Sequence, residues 1–287
     1  MKKYPFPGSN VEQVFDSYCE YLAYRFGNTS QQLKSIVDRH EASPEPPRAE
    51  AVIFTWLSNT RMNPDVNEDP STGGIDFLCR PSDGHEFFAE VHCVGTEALA
   101  ADTGLPTKLE HLGGGAFGMP TELLQSRIKK KMEQLANAEF PRVLIITSEH
   151  PMAHLVFGPE SAKHLFLSTP RVMIPFDPTK PEKEIVDLKN SAFFKPDLLN
   201  PGGVRPARQA ASAVILVSIA PAEIRPIGLL HPEPAKPLRL DVWYETPFMQ
   251  LQNWPITNGR LGIEWTMPPD LPPYIHQRLR LAKKAQT

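Results

Sequence analysis

The chain has 287 residues, 41% of them hydrophobic, which allows one large core or two small ones. The formal net charge of −3 excludes a polycation, so any nucleic-acid binding would depend on a local basic patch. No run reaches the roughly 18 apolar residues of a membrane span, and the start, Met1-Lys2-Lys3-Tyr4-Pro5, lacks the apolar segment of a signal peptide. A cytoplasmic protein with no membrane partner is the expectation. Three cysteines, Cys19, Cys79 and Cys93, are too few and too scattered for a disulfide framework and read as reduced thiols. The 31 prolines concentrate after residue 150 and predict short elements there.

Ser9-Asn10-Val11-Glu12 has capping-box spacing, and Val11, Phe15, Tyr18, Leu22 and Phe26 follow at helical spacing up to Gly27-Asn28. Gln31 to His40 predicts a second short helix. Ser43 to Pro47 reads as a proline-rich break. The mostly apolar stretch from Arg48 to Leu57 then predicts a buried helix. Asn63 to Thr72 is polar and turn-rich, with a short strand around Val66. Gly74 to Arg80 and Glu86 to Val94 read as two antiparallel strands, because both are rich in aromatic and β-branched residues and Pro81-Ser82-Asp83-Gly84 punctuates between them. A five-residue loop, Pro81 to His85, pairs Arg80 with Glu86, and counting back sets Asp76 opposite Glu90. Glu90 and His92 are two apart and share a face.

Gly113 to Gly118 matches a dinucleotide-type glycine pattern formally, but no strand leads into it, so a flap is the better reading. Thr121 to Asn137 predicts the strongest helix, with Leu124, Ile128, Met132 and Leu135 as its apolar stripe and Arg127, Lys131 and Gln134 along the stripe's edge. Phe140 to Thr147 predicts a buried strand. His150 to Leu167 offers only short apolar pieces, and Arg171 to Arg208 reads as irregular surface. Ala211 to Ile219 is a buried strand with Ile224 to Leu230 as its partner, both extending the core sheet. His231 reads as structural. Trp243, Tyr244, Phe248, Trp254 and Trp265 are read as packing residues, and Arg278 to Lys284 as a basic tail.

A glycine-led Asp76, a short turn and then Glu90-Val91-His92 resembles the core of the PD-(D/E)XK, or restriction-endonuclease-like, nuclease superfamily. Lys131-x-x-Gln134-Leu135 before an aliphatic strand resembles the core helix of many members. The likeness covers residues 48 to 150. It implies an α/β fold: a restriction-endonuclease-like mixed sheet flanked by helices, with a C-terminal extension of the sheet. Residues 1–47 would be an N-terminal helical segment, 48–150 the nuclease-like core and 151–287 an extension packed on the same core.

The resemblance further implies Mg²⁺ or Mn²⁺ held by Asp76, Glu90 and the Val91 carbonyl, with Glu50 as a helix-borne helper. His92 stands where the family has lysine, and Lys131 is the candidate to supply the missing charge from the helix. Gln134 would orient one of these groups. The expected activity is metal-dependent hydrolysis of phosphodiester bonds in DNA. The alternative is an inactive, nuclease-like module that binds nucleic acid or a protein partner; homodimerisation stays open. A small-molecule hydrolase ranks last, since no nucleophile elbow, HExxH or paired CxxC occurs.

Overall fold

The computed structural model describes residues 10–69, 71, 73–82, 84–108, 121–134, 139–167, 171–173, 183–185, 188, 191–200, 203–219, 224–252, 254–255 and 262–269. Three helices come first: α1 (Val11–Phe26), α2 (Gln31–Ala42) and α3 (Glu45–Asn59). The Asn10 side chain caps α1 by accepting from Glu12 N at 3.0 Å, and Ser30 caps α2 through Leu33 N at 3.3 Å. The break expected at Ser43 to Pro47 is narrower than predicted. Pro46 and Pro47 sit inside the first turn of α3, where their missing N–H groups cost no intrahelical bond.

Next come β1 (Pro64–Val66), β2 (Phe77–Cys79), β3 (Phe87–Cys93), α4 (Thr96–Thr103), α5 (Thr121–Gln134), β4 (Arg142–Ser148), α6 (Ala153–Val156) and α7 (Pro159–Leu167). Two small hairpins follow, β5 (Arg171–Met173) with β6 (Lys183–Ile185), and β7 (Phe194–Pro196) with β8 (Val204–Pro206). The chain continues with β9 (Ala213–Ser218), β10 (Arg225–Leu230), β11 (Phe248–Gln252) and β12 (Gly262–Trp265). The stretch read as apolar pieces therefore contains two helices. Among its described residues the stretch read as irregular contains four short strands; hairpins this short carry no periodic signal to read.

One mixed sheet of eight strands runs β1-β2-β3-β4-β9-β10-β11-β12. At its centre β3, β4 and β9 are parallel, and β1, β2 and β3 are joined antiparallel. Strands buried on both faces need apolar side chains on both, which is why β4 and β9 read as continuous aliphatic runs. Alternate residues serve opposite layers. Val143 and Ile145 face α1, α2 and α3 together with Val14, Tyr18, Ile53 and Leu57. Leu144 and Ile146 face α5, α6 and α7 together with Leu124, Ile128, Met132 and Phe166. The result is a sheet flanked by helices on both sides, with β9 to β12 continuing the same sheet as β1 to β4.

The hairpin keeps the predicted register: Phe77 pairs with Ala89 and Cys79 with Phe87, and Arg80 meets Glu86 at 2.8 Å. Its first strand is shorter than expected, three residues against the seven of β3. Cys79 lies near the turn and Cys93 at the far end of β3, so the two thiols are not cross-strand neighbours, and all three cysteines are free. His231 is buried, bonded through Nε2 to Ala207 O at 2.8 Å and accepting at Nδ1 from Glu233 N, as a structural residue would be. Trp243 is buried against Trp56, Phe87 and Phe248. The glycine-rich flap, Leu135 and the basic tail at Arg278, Arg280, Lys283 and Lys284 lie outside the described residues. Among those residues no helix is long and apolar enough to cross a membrane.

Candidate functional site

The short β2 decides where the site forms. β2 covers β3 only as far as Ala89, and from Glu90 onward no described strand lies on that side. Unpaired edge groups need other partners. Asp76, one residue before β2, provides one: its Oδ2 accepts from Val91 N at 2.6 Å. A residue's N–H and C=O leave a strand toward the same neighbour, so the Val91 carbonyl is directed to that edge as well. The Asn67 side chain donates to Ile75 O, and Asn67 N to Asp76 O, which pins the approach to Asp76.

Around this edge three carboxylates converge. Ligand oxygens of Glu50, Glu68 and Asp76 lie within 4.8 Å of one another. Glu50 comes from the middle of α3, not from its first turn, and helix-terminus electrostatics do not explain it. It is buried, and Arg39 from the last turn of α2 forks onto it, Nη1 to Oε1 at 2.6 Å and Nη2 to Oε2 at 2.9 Å. Arg39 Nη2 also lies 3.6 Å from Glu68 Oε2. Burial lifts the Asp76 carboxyl well above its ordinary range, and the charges of Glu50 and Glu90 add to this; the bond from Val91 N opposes it. Burial raises Glu50 too, against the pull of Arg39.

Glu90, on the opposite side of the register from Asp76, is held by α5: Lys131 Nζ meets its Oε1 at 2.8 Å. Arg127, one turn earlier on α5, donates to His92 Nε2 at 3.4 Å. A nitrogen that accepts carries no proton, so His92 is the neutral Nδ1–H tautomer. Burial, with Lys131, Arg127 and Lys130 nearby, pushes its pKa down to about 4. His92 therefore carries no charge at neutral pH, and the cations beside it are Arg127 and Lys131. Gln134 ends α5, and its side chain lies outside the described residues.

The structure thus brings Asp76, Glu50 and Val91 N together on one side of β3 and Glu90, His92, Arg127 and Lys131 on the α5 side. Sequence reading missed Glu68 and Arg39. Glu68 lies in an acidic stretch between Asp65 of β1 and Asp69, where any one of the carboxylates is an equally good guess. Arg39 shares the α2 face of Gln32 and Ser35, a polar stripe with nothing to mark it as facing inward. The donor set suits a hard divalent cation: three carboxylates against one guanidinium leave a formal excess of two negative charges around closely spaced oxygens. No protein-family model, no curated protein and no solved structure matches this chain.

Proposed function

We propose that the protein is a metal-dependent nuclease with a restriction-endonuclease-like core that hydrolyses phosphodiester bonds in DNA. The observation that carries this reading is the buried Asp76 carboxylate. It caps the uncovered edge of β3 at Val91, with the oxygens of Glu50 and Glu68 within 4.8 Å. The element order supports it as well, with α3, an antiparallel hairpin, α5 and a parallel β4 around the charged edge.

Asp76, Glu50 and Glu68 would hold Mg²⁺ or Mn²⁺, with the Val91 carbonyl as a neighbouring oxygen donor, while Glu90 stays paired with Lys131 on the α5 side. A divalent ion there would acidify a water and neutralise charge developing on a phosphate. The remaining roles belong to the chain. Lys131 orients Glu90 and presents a positive charge toward the scissile group. Arg127 fixes the His92 ring, whose Nε2 is engaged and is not the proton acceptor. The buried carboxylates are reached through the pocket that α2 helps to line, past the partly exposed Arg39 and Glu68.

Cleavage of supercoiled plasmid, single-stranded DNA and RNA with Mg²⁺ or Mn²⁺ tests the proposal, with Asp76→Asn as the control. Cleavage by wild type that Asp76→Asn abolishes is expected. Nucleic-acid binding without any cleavage would favour the inactive module instead. Cleavage that survives in Asp76→Asn would remove the carboxylate cluster from the mechanism.

A further inference from the structure

The carboxylates line a small pocket open to solvent, to which α2 contributes Gln32, Ser35 and Arg39. Side-chain exposure orders this pocket by depth: Arg39 is 40% exposed, Glu68 32% and Glu50 11%, while Asp76 as a residue is 9% exposed. A ligand entering meets Arg39 first and Asp76 last. The Arg39 fork engages both oxygens of Glu50, so a cation that takes Glu50 competes with the guanidinium for it. Arg39 Nε is buried without a hydrogen-bond partner among the described residues, which leaves this guanidinium with a donor to spare.

A guanidinium fork matches a phosphate as well as a carboxylate, two N–H groups to two oxygens. We propose that Arg39 is a phosphate clamp that exchanges partners: it guards Glu50 until a divalent cation takes the carboxylates, then turns its fork to the substrate's phosphate in the same pocket. This rests on the metal-dependent nuclease reading and adds the phosphate-binding residue that reading lacks on the α2 side. Ser35 and Gln32, one and two turns earlier on the α2 face, supply uncharged donors for the same phosphate or its sugar.

The clamp predicts opposite effects on two ligands, which a purely structural arginine would not give. Mn²⁺ titrated by calorimetry into the metal-free protein should bind Arg39→Gln about tenfold more tightly than wild type, since the competitor for Glu50 is gone. Thymidine 5′-monophosphate, titrated in the presence of Ca²⁺, should bind Arg39→Gln about tenfold more weakly. Arg39→Lys keeps the charge and loses the fork, so its Mn²⁺ affinity should fall between those of wild type and Arg39→Gln while its nucleotide affinity falls. Melting curves check that both variants are folded, and Arg39→Lys carries the test if Arg39→Gln is not. Wild type that binds Mn²⁺, with variants that bind both ligands equally well or both more weakly, overturns the clamp and leaves the metal site standing. Wild type that binds no Mn²⁺ removes the metal site, and the clamp with it.

Discussion

Asp76→Asn offers a stability measurement that needs no substrate. Asp76 is buried, and its carboxylate shares a space no wider than 4.8 Å with oxygens of Glu50 and Glu68. Two full charges about 5 Å apart repel by about 3 kcal/mol at an effective dielectric near 20. Arg39 offsets part of this by its fork onto Glu50. Asparagine keeps an oxygen to accept from Val91 N, so the hydrogen bond at the uncovered edge survives. We expect Asp76→Asn to stabilise the metal-free protein by about 1–2 kcal/mol, a rise of about 2–8 °C in melting temperature for a chain of this size.

The sign with pH follows from the raised carboxyl. The folded state holds the Asp76 proton more tightly than the unfolded chain, whose ordinary value is 3.8, so wild type loses stability as pH rises from there to the folded value. The variant's advantage should be near zero at pH 4 and grow toward neutrality. Glu50, Glu68, Glu90 and Arg39 face this group, and their charges are common to both proteins. Differential scanning calorimetry in EDTA from pH 4 to 8 makes the measurement, and saturating Mn²⁺ should reverse the order by stabilising wild type alone. A variant less stable than wild type at pH 7, or an advantage that does not vary with pH, would refute a repelled buried carboxylate.

His92→Lys should lower the melting temperature, because a second ammonium beside Arg127 and Lys131 replaces a neutral acceptor; His92→Gln, which can still accept from Arg127, should be tolerated. The reverse order of stabilities in thermal melts would contradict the neutral assignment. A double-mutant cycle of Glu90→Gln with Lys131→Met should return a coupling of about 1 kcal/mol in urea unfolding, as for a partly buried pair, and no coupling would show the pair to be incidental. Gly228→Ala should destabilise by about 1–3 kcal/mol, since its Cβ would run into the Phe248 ring where β10 pairs with β11; unchanged chemical denaturation would show that this pairing repacks freely. Ile128→Ala, emptying a fully buried position under the sheet, should cost about 2–5 kcal/mol by the same method.

The central strands were legible because burial on both faces demands the same aliphatic chemistry at every position, as at Val143 to Ile146 and Val214 to Val217. The hairpin register was legible because loop length alone sets it, so Arg80 had to meet Glu86 and Phe77 had to pair with Ala89; the expected pairing of Asp76 with Glu90 lies past the end of β2, where Asp76 instead accepts from Val91 N. The stripe of α5 fixed which of its sides faced the sheet, and with it the reach of Lys131 to β3. None of these needed knowledge of a distant segment. Local pattern failed at α7, β7 and β8, where elements of three to nine residues are held by the core they lean on, and at β5 and β6, which are too short to show a period.

It failed too at the site's outer wall. Glu50 lies mid-helix in an apolar run, and only the packing of α2 against α3 supplies the Arg39 that makes its burial tolerable. Glu68 joins Asp76 because the loop after β1 folds back beside it through Asn67. Whether His92 is charged was likewise undecidable from its neighbours in sequence. Its state is set by burial and by cations that α5 brings from across the sheet, and electrostatic energy depends on distances in space that the order of residues does not contain.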